Sequence, residues 1–188
     1  MDNFLKKDNA NNGLMTKVWG PPGWMFLHSI TLGYPIKIDN YDEEHIIRKN
    51  KMKIFFESIG NVFPCKYCRI SYLKFIEEIP IDKFLNSRKD LALWLYKIHN
   101  KVNHKLGVPK CNIPTFENMY KEYDTYRAEC SITTSTERIK NLNKGCVVPR
   151  DGLKRKCIVK VIKKNNIDYY KYIFITILLI PLILYLLK

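Results

Sequence analysis

The strongest constraint on the fold is the helical pattern of residues 87–107. The stretch SRKD, which begins at Ser87, has the spacing of a capping box, in which a serine and an acidic residue three positions later satisfy the first backbone N–H groups of a helix. Apolar residues recur at helical spacing through DLALWLYKIHNKVNHKL, and Gly107 followed by Pro109 is a typical end signal. A long amphipathic helix is therefore predicted here.

Four other segments also have helical patterns, and no stretch alternates apolar and polar residues as a half-buried strand would. One helix, opened by Pro21 and Pro22, is predicted within residues 18–35. The residues that share one face of it are Trp24, Leu27, His28 and Thr31. Further helices are predicted from His45 to Ile59, from the cysteines at positions 65 and 68 to Glu78, and from Phe116 to Glu129. The fold class is therefore all-α, a compact bundle of four to five helices over residues 16–130.

Apolar residues at helical spacing give the expected core of the second and third helices. The candidates are Ile46, Ile47, Met52, Phe55, Phe56 and Ile59 in the second helix, and Ile70, Leu73, Phe75 and Ile76 in the third. Gly60 and Pro80 are expected to end these two helices.

The net charge of +14 is unevenly distributed. Residues 131–188 contain 12 Lys and Arg but only 3 Asp and Glu, which gives this part +9. The excess lies beside an uncharged stretch from Tyr172 to Leu187. With its flanking residues the stretch is about 19 residues, or roughly 28 Å of helix, close to the thickness of a bilayer core. Residues 169–188 are therefore predicted to be a transmembrane anchor, and the basic excess indicates a membrane surface rather than nucleic acid.

The sequence predicts four regions. Residues 1–15 are polar, lack the apolar core of a signal peptide and are predicted to be disordered. Residues 16–130 form the helical domain, residues 131–168 a basic linker, and residues 169–188 a single C-terminal span. Basic residues precede the span and only Lys188 follows it, so the positive-inside rule places the domain on the cytoplasmic side of a membrane.

The stretch FPCKYCRISY contains the single CxxC pair of the chain, Cys65 and Cys68. A structural zinc site needs four ligands, and the histidines at positions 99 and 104 are five apart, a spacing that does not place both on one helical face. A thioredoxin-like site needs a βαβ context, which the pattern lacks. A purely structural bridge would close too short a loop to stabilise much.

A redox role fits the surroundings of the pair better. The pair lies at a predicted helix start, where the helix dipole favours a thiolate, and Lys66 and Arg69 add positive potential. A dithiol still needs an electron acceptor, which implies a cofactor.

Three segments in this order resemble the FAD-linked sulfhydryl oxidases of the Erv/ALR type. They are WGPPGWMFLHSITLGYP, the CKYC pair that opens a helix, and LWLYKIHNKVNHKLGVP, whose core HNxVNxxLG is the most specific. The resemblance covers about residues 16–130. The frequent Lys, Asn, Ile and Tyr and the missing secretory signal make the chain look like a version from a large cytoplasmic DNA virus.

The resemblance implies a helical bundle that holds FAD, often as a homodimer. Aromatic and imidazole planes suit stacking on flavin and adenine rings. The residues that the resemblance assigns to the cofactor are Trp24, His28, Tyr34, His99, Asn100 and Asn103.

The chain departs from the family pattern at two positions. Pro21 and Val108 stand where the family commonly has an arginine and a lysine. Lys105 or Lys110 is then the candidate for the missing phosphate contact. A tyrosine of the fifth helix, at position 120 or 123, is a candidate cover for the adenine.

The remaining cysteines are widely spaced. The resemblance implies a structural disulfide between Cys111 and Cys130, at a slightly wider spacing than is usual in the family. Cys146 and Cys157 lie in the linker with ten residues between them, which favours two unpaired thiols over a pair that relays electrons.

The resemblance implies an enzyme that forms disulfide bonds in protein substrates. A substrate dithiol attacks Cys65 of the disulfide form, and electrons leave through Cys68, FAD and oxygen, giving hydrogen peroxide. The expected partners are a dithiol protein such as a thioredoxin-like carrier, oxygen and a host or virion membrane, with no metal site and no nucleic acid. The alternative is a zinc-binding, tail-anchored adaptor.

Overall fold

The computed structural model describes residues 13–128 and residue 150. Five α-helices follow one another in this part of the chain: α1 Thr16–Leu32, α2 Glu43–Ile59, α3 Lys66–Glu78, α4 Arg88–Lys105 and α5 Phe116–Asp124. Short 3₁₀ turns at Ile81–Phe84 and Lys110–Asn112 precede α4 and α5. An isolated antiparallel bridge joins Lys37 and Ser87, and no strand forms within the described residues. The all-α prediction is confirmed over this region.

The central helix of the bundle is α4, against which α1, α3 and α5 all pack. Its start is the predicted one, because Ser87 Oγ accepts a hydrogen bond from the Asp90 N–H at 3.1 Å. Its end also agrees, since Gly107 follows at φ +69°, a left-handed conformation that favours glycine. The fully buried residues of the helix are Leu91, Ala92, Trp94, Leu95 and Ile98.

The helix α2 touches the core along a narrow stripe. It begins at Glu43 rather than His45, because Asp42 Oδ1 accepts hydrogen bonds from the Glu44 and His45 N–H groups at 2.9 and 3.3 Å. Phe56 is fully buried and packs edge-on against Trp94 at 5.0 Å. Ile46 and Ile47 are exposed, so their prediction as core residues is wrong. Three other candidates pack partly buried against the core, namely Met52, Phe55 and Ile59.

The helix α3 buries a residue that the apolar pattern missed. Leu73 is buried, and Phe75 and Ile76 are partly buried, as predicted. Ile70 is exposed, and its predicted place in the core is wrong. Tyr72 is buried instead, because its hydroxyl donates to the Phe56 carbonyl at 2.8 Å and so needs no water.

The two prolines of α1 lie inside the helix and do not open it. The helix begins at Thr16, so the predicted start is wrong. Pro21 and Pro22 keep helical backbone angles but donate no hydrogen bond. The predicted inner face is confirmed, because Leu27, His28 and Thr31 are all buried.

The fifth helix is shorter than predicted. Thr115 Oγ1 accepts from the Asn118 N–H at 3.2 Å and caps the start, as expected. The helix ends at Asp124 instead of continuing to residue 129. The Thr125 N–H donates to carbonyls of the last turn.

Most of the predicted flanking regions lie outside the described residues. This applies to the basic linker apart from Arg150, to residues 169–188 and to residues 1–12. Residues 13–15 were included in the predicted disordered start, but they pack against Pro64. Within residues 13–128, no helix is long and apolar enough to cross a bilayer.

Candidate functional site

The CxxC pair opens α3, as the sequence predicts. Cys65 is the N-cap residue, and its Sγ accepts a hydrogen bond from the Cys68 N–H at 3.3 Å. The Cys65 carbonyl accepts from the Cys68 and Arg69 N–H groups at 3.1 and 3.0 Å. Both cysteines are free thiols; Cys65 is buried and Cys68 half-buried. The two cysteines therefore lie on a single turn at the start of α3.

The expected bias toward thiolate is wrong for Cys68 in this dithiol form. Burial, followed by the hydrogen bond and charge of Cys65, raises the pKa of Cys68 to about 12, while the charges of Lys105 and Arg69 act in the opposite direction. Desolvation of the sulfur thus outweighs the positive surroundings that the sequence suggested.

Four rings from three helices form the second part of the site, which we call the aromatic cluster: Trp24, His28, His99 and Tyr123. The rings of Trp24 and His99 are stacked, with centroids 3.9 Å apart and 10° between their planes. His28 Nε2 and His99 Nδ1 share a hydrogen bond of 3.1 Å. Tyr123 of α5 covers His28 with centroids 5.2 Å apart. The structure therefore brings together three of the residues predicted from distant segments.

Both imidazoles of the cluster are neutral at ordinary pH. Burial lowers the pKa of His28 to about 3, with a further contribution from the charge of His99. Burial also lowers the pKa of His99 to about 4. The buried Nδ1 of His28 has no hydrogen-bond partner among residues 13–128. One of its two tautomers would leave a donor unsatisfied there and the other an acceptor, so the site lacks one polar partner.

An amide pair lies next to His99 on α4. Asn103 Nδ2 donates to Asn100 Oδ1 at 3.3 Å, and both side chains are half-buried. This single bond uses one of the two donors of Asn103 and leaves the amide nitrogen of Asn100 available. Asn103 follows His99 by four residues and Asn100 by three, so it neighbours both of them on the surface of α4.

Lys105 connects α4 to the cysteine pair. Its Nζ donates to the Ser71 hydroxyl of α3, and its charge acts on Cys68. Because Lys105 follows His99 by six residues, the two side chains start about 9 Å apart along the helix axis. Lys105 also lines a groove of about 380 Å³ between α3 and α4. The other residues of the groove are Ile70, Ser71, Lys74, Phe75, Glu78, Lys101 and His104.

Tyr34 is not brought to the aromatic cluster. It is fully buried in the main core, where its hydroxyl donates to the Leu85 carbonyl at 2.9 Å. Its own carbonyl accepts from Arg88 Nε at 2.6 Å. Burial raises the pKa of Tyr34 to about 12. These contacts give the residue a part in the packing between α1 and the start of α4.

The predicted Cys111–Cys130 bridge stays a prediction. Cys111 is exposed, with its sulfur 3.7 Å from Asn112 Oδ1. Cys130 lies outside the described residues, as do Cys146 and Cys157. Lys110, the other candidate for a phosphate contact, is exposed in the turn before α5.

Sequence reasoning missed two contributors to the site. Ser71 follows Cys68 by three residues and therefore shares its helical face, a signal that could have found it. Gly13 lies against the Pro64–Cys65 peptide. Nothing local in the sequence indicates that contact, because it joins positions far apart in the chain.

The arrangement offers a redox sulfur pair, flat rings, neutral imidazoles and amides. The 3.9 Å spacing of Trp24 and His99 leaves no room for a third ring between them, so a bound ring system could stack only on an outer face. Among residues 13–128, no three His, Cys, Asp or Glu side chains are placed to hold a metal ion together.

Comparison with known proteins gives a consistent result. The profile of the Erv1/Alr family matches residues 22–121. The chain is 40% identical over 97 residues to the probable FAD-linked sulfhydryl oxidase R368 of Acanthamoeba polyphaga mimivirus, covering 51% of this chain and 64% of the viral protein. It is 31% identical over 103 residues to the mitochondrial FAD-linked sulfhydryl oxidase ERV1 of Saccharomyces cerevisiae, covering 55% and 50%.

The matched region spans between half and two thirds of the length of these two relatives. Among solved structures, the FAD binding domain of Erv1 from Saccharomyces cerevisiae is 29% identical, with a TM-score of 0.49 over 58% of this chain and 97% of that chain.

Proposed function

Because the chain belongs to the Erv1/Alr family, we propose that it is an FAD-dependent thiol oxidase that forms disulfide bonds in protein substrates. The observation that carries the proposal is the juxtaposition of a CxxC dithiol at a helix start with Lys105 of α4, the helix that also supplies His99 to the aromatic cluster. A redox pair and a ring-binding surface are the two parts that such an enzyme needs.

The residues of the aromatic cluster fit a flavin nucleotide. The unpartnered Nδ1 of His28 requires a polar group that a ligand or a rearranged neighbour must supply. Trp24 and His99 offer a continuous flat surface, and the half-buried amides of Asn100 and Asn103 offer hydrogen bonds beside it. These residues would hold FAD, and Lys105, which lies near Cys68, stays a candidate for a phosphate contact.

The chemistry that FAD supplies when bound is two-electron acceptance from the dithiol and delivery of those electrons to oxygen as hydrogen peroxide. The remaining steps belong to the cysteines. In the oxidised pair, a substrate thiolate attacks Cys65 Sγ, a bond to the substrate sulfur forms, and the Cys65–Cys68 bond breaks with Cys68 leaving as thiolate. The charges of Lys105 and Arg69 favour this leaving group.

The second substrate thiolate completes the exchange. It attacks the substrate sulfur of the mixed disulfide, so the substrate leaves as a disulfide and Cys65 leaves as a thiolate. Two electrons and, after protonation, two protons then reside on the pair. In that dithiol state the pKa of Cys68 is about 12, so Cys68 keeps its proton until the pair is oxidised again.

The test is the absorbance spectrum and oxygen consumption of the purified protein. We expect a yellow preparation that absorbs near about 450 nm, consumes oxygen when a dithiol is added and releases an equal amount of peroxide. A folded but colourless protein that binds no added FAD would overturn the assignment. Zinc released from such a protein on denaturation would instead support the adaptor alternative.

We further propose that the domain is tethered to a membrane and faces the cytoplasm. Support comes from the sequence alone, in the uncharged stretch of residues 172–187 and the basic residues before it. Carbonate-resistant membrane association of the full chain, lost when residues 169–188 are deleted, is the expected result. Extraction of the full chain by carbonate would contradict it.

A homodimer is also part of the proposal. Exposed apolar side chains on two helices support it: Phe26 of α1, and Ile47 and Ile54 of α2, which are seven residues apart and so share a face. Replacement of Ile47 and Ile54 by lysine should shift the sedimentation of the protein from dimer to monomer. A wild-type protein that sediments as a monomer would exclude this proposal.

A further inference from the structure

Residues 13–15, which we call the strap, lie directly against the backbone of the CxxC pair. The Leu14 N–H donates to the Pro64 carbonyl at 3.0 Å. The indole N–H of Trp19 donates to the Leu14 carbonyl at 3.2 Å, and the Trp19 ring packs on Phe63 with centroids 5.6 Å apart. The strap is thus fastened to the residue that immediately precedes Cys65.

The contact is so close that glycine is required at its centre. Gly13 has φ +79°, and a Cβ added to it would lie 1.6 Å from the Pro64 oxygen and 3.1 Å from Cys65 Cα. No other residue fits this position without displacing the strap. The neighbouring residue, Cys65, is only 8% exposed. A protein thiol has little access to a residue that is buried to this degree, and the strap lies against its backbone.

The strap is held lightly. One backbone hydrogen bond joins it to Pro64, and its two larger side chains, Leu14 and Met15, remain mostly exposed. Little apolar surface is therefore buried by the strap, so displacing it costs far less than opening the core.

Apolar side chains flank the same position. Val62 and Tyr67, on either side of Pro64 and Cys65 in the chain, are both well exposed. The segment next to the strap therefore offers a backbone acceptor and a buried cysteine, with exposed apolar residues close by in the chain. An extended polypeptide with apolar side chains has the matching features, namely backbone N–H donors and apolar contacts.

We propose that the strap occupies the position at which an extended apolar segment of the protein dithiol docks, so that strap and substrate compete for the Pro64 carbonyl above Cys65. The inference rests on the proposed function, because it takes Cys65 as the sulfur that the substrate attacks. The occupant is the segment of the substrate next to its reactive cysteine, and displacement of the strap uncovers Cys65 at the moment of docking.

The first test is the alkylation rate of Cys65 in the reduced full-length protein. In Gly13→Ala the strap is displaced, and we expect Cys65 to react with iodoacetamide at least about fivefold faster, the change expected from losing one backbone hydrogen bond. The matched control is Gly20→Ala, since a Cβ at Gly20 meets nothing within 4 Å. Peptide mass spectrometry gives the Cys65 rate relative to that of exposed Cys111.

A second variant removes the hydrogen bond by another route. Leu14→Pro deletes the N–H that bonds Pro64 and disfavours the positive φ of Gly13. It should accelerate Cys65 equally, and the acceleration should be the same at neutral and alkaline pH, because exposure and not acidity has changed. Circular dichroism identifies any variant that fails to fold. If either variant folds and its Cys65 is alkylated at the wild-type rate, the strap does not cover Cys65 and the proposal is refuted.

A third test measures oxygen consumption with reduced thioredoxin and with dithiothreitol as substrates. We expect Gly13→Ala to raise kcat/KM for thioredoxin more than for dithiothreitol, because a small dithiol needs no backbone docking. Equal effects on both substrates would show a lid without a docking role and would overturn the competition. If the protein holds no flavin and consumes no oxygen, the proposed oxidase fails, while the alkylation ratio still decides whether the strap covers Cys65.

Discussion

The indole of Trp24 lies parallel to the imidazole of His99, 3.9 Å away, and this stack joins α1 to α4. His99 is held from a second side by its hydrogen bond to His28 of the same helix α1. Trp24 and His28 of α1 therefore fix the orientation of the His99 ring on α4. The surface assigned to the flavin is thus preformed by contacts within the protein.

Acid is expected to weaken the fold through these two histidines. In the folded state the pKa is about 3 for His28 and about 4 for His99, against an ordinary value of 6.5. Below pH 6.5 the unfolded chain takes up protons that the folded chain does not, so stability present above that pH is lost as the pH falls. The slope approaches about 1.4 kcal/mol per pH unit for each ring. Urea unfolding at neutral and mildly acidic pH measures it.

A pair of variants isolates the contribution of the buried ring. In His28→Phe the unfolding free energy should fall less steeply as the pH is lowered below 6.5. The variant also leaves His99 Nδ1 without its hydrogen-bond partner. His104→Gln, a change of an exposed histidine, should keep the whole slope. If the unfolding free energy depends on pH in His28→Phe as it does in the wild type, then His28 is not buried as a neutral imidazole.

Removal of the charge beside the cysteines should make Cys68 less reactive. Lys105 lowers the pKa of Cys68 against the larger effect of burial, so Lys105→Ala should raise that pKa further. We expect alkylation of Cys68 at constant pH to slow by about threefold to tenfold. Lys74→Ala is the matched control in the same groove, since the Lys74 side chain is largely exposed. Equal rates in the two variants would show that the charge at position 105 is irrelevant to Cys68.

Cys68→Ser should abolish turnover while the protein stays yellow. The variant removes the sulfur through which electrons are expected to pass to FAD, and none of the rings assigned to the cofactor changes. Oxygen consumption with dithiothreitol should fall by at least about a thousandfold. Cys146→Ser, in the linker, should retain full turnover if that residue is an unpaired thiol. Substantial turnover in Cys68→Ser would mean that another sulfur does its work.

Tyr34→Phe distinguishes a core residue from a cofactor contact. The change deletes the hydroxyl that bonds the buried Leu85 carbonyl, which should cost about 1 to 3 kcal/mol of unfolding free energy. The flavin content of the protein should stay the same. Tyr41→Phe, at a residue that is 99% exposed, should change neither quantity. Loss of flavin from Tyr34→Phe would restore the role that the family resemblance implies.

Local signals in the sequence predicted the helices well where a cap was present. Ser87 and Thr115 accept the hydrogen bonds that their positions suggest, and Gly107 has the positive φ expected after a helix. The boundaries failed where no local signal decides them. Pro21 could open a helix or lie inside one, and only the packing of Trp19 on Phe63 extends α1 backwards to Thr16.

Burial was harder to predict than helix position. Ile46 and Ile70 lie at helical spacing with core residues and are still exposed, which periodicity cannot reveal. Tyr72 is buried because a carbonyl of α2 accepts its hydroxyl, a contact between elements that no single segment encodes. The same limit hides the bond between His28 and His99, which are 71 residues apart.

The two adjacent prolines divide α1 into parts with different mechanical properties. Because Pro21 and Pro22 have no N–H, the carbonyls of Lys17 and Val18 receive no bond from the next turn. Fewer backbone hydrogen bonds therefore join the first turn to the portion of the helix that contains His28. The proposed cover of Cys65 and the proposed flavin contact of His28 thus lie on opposite sides of the two prolines along the chain.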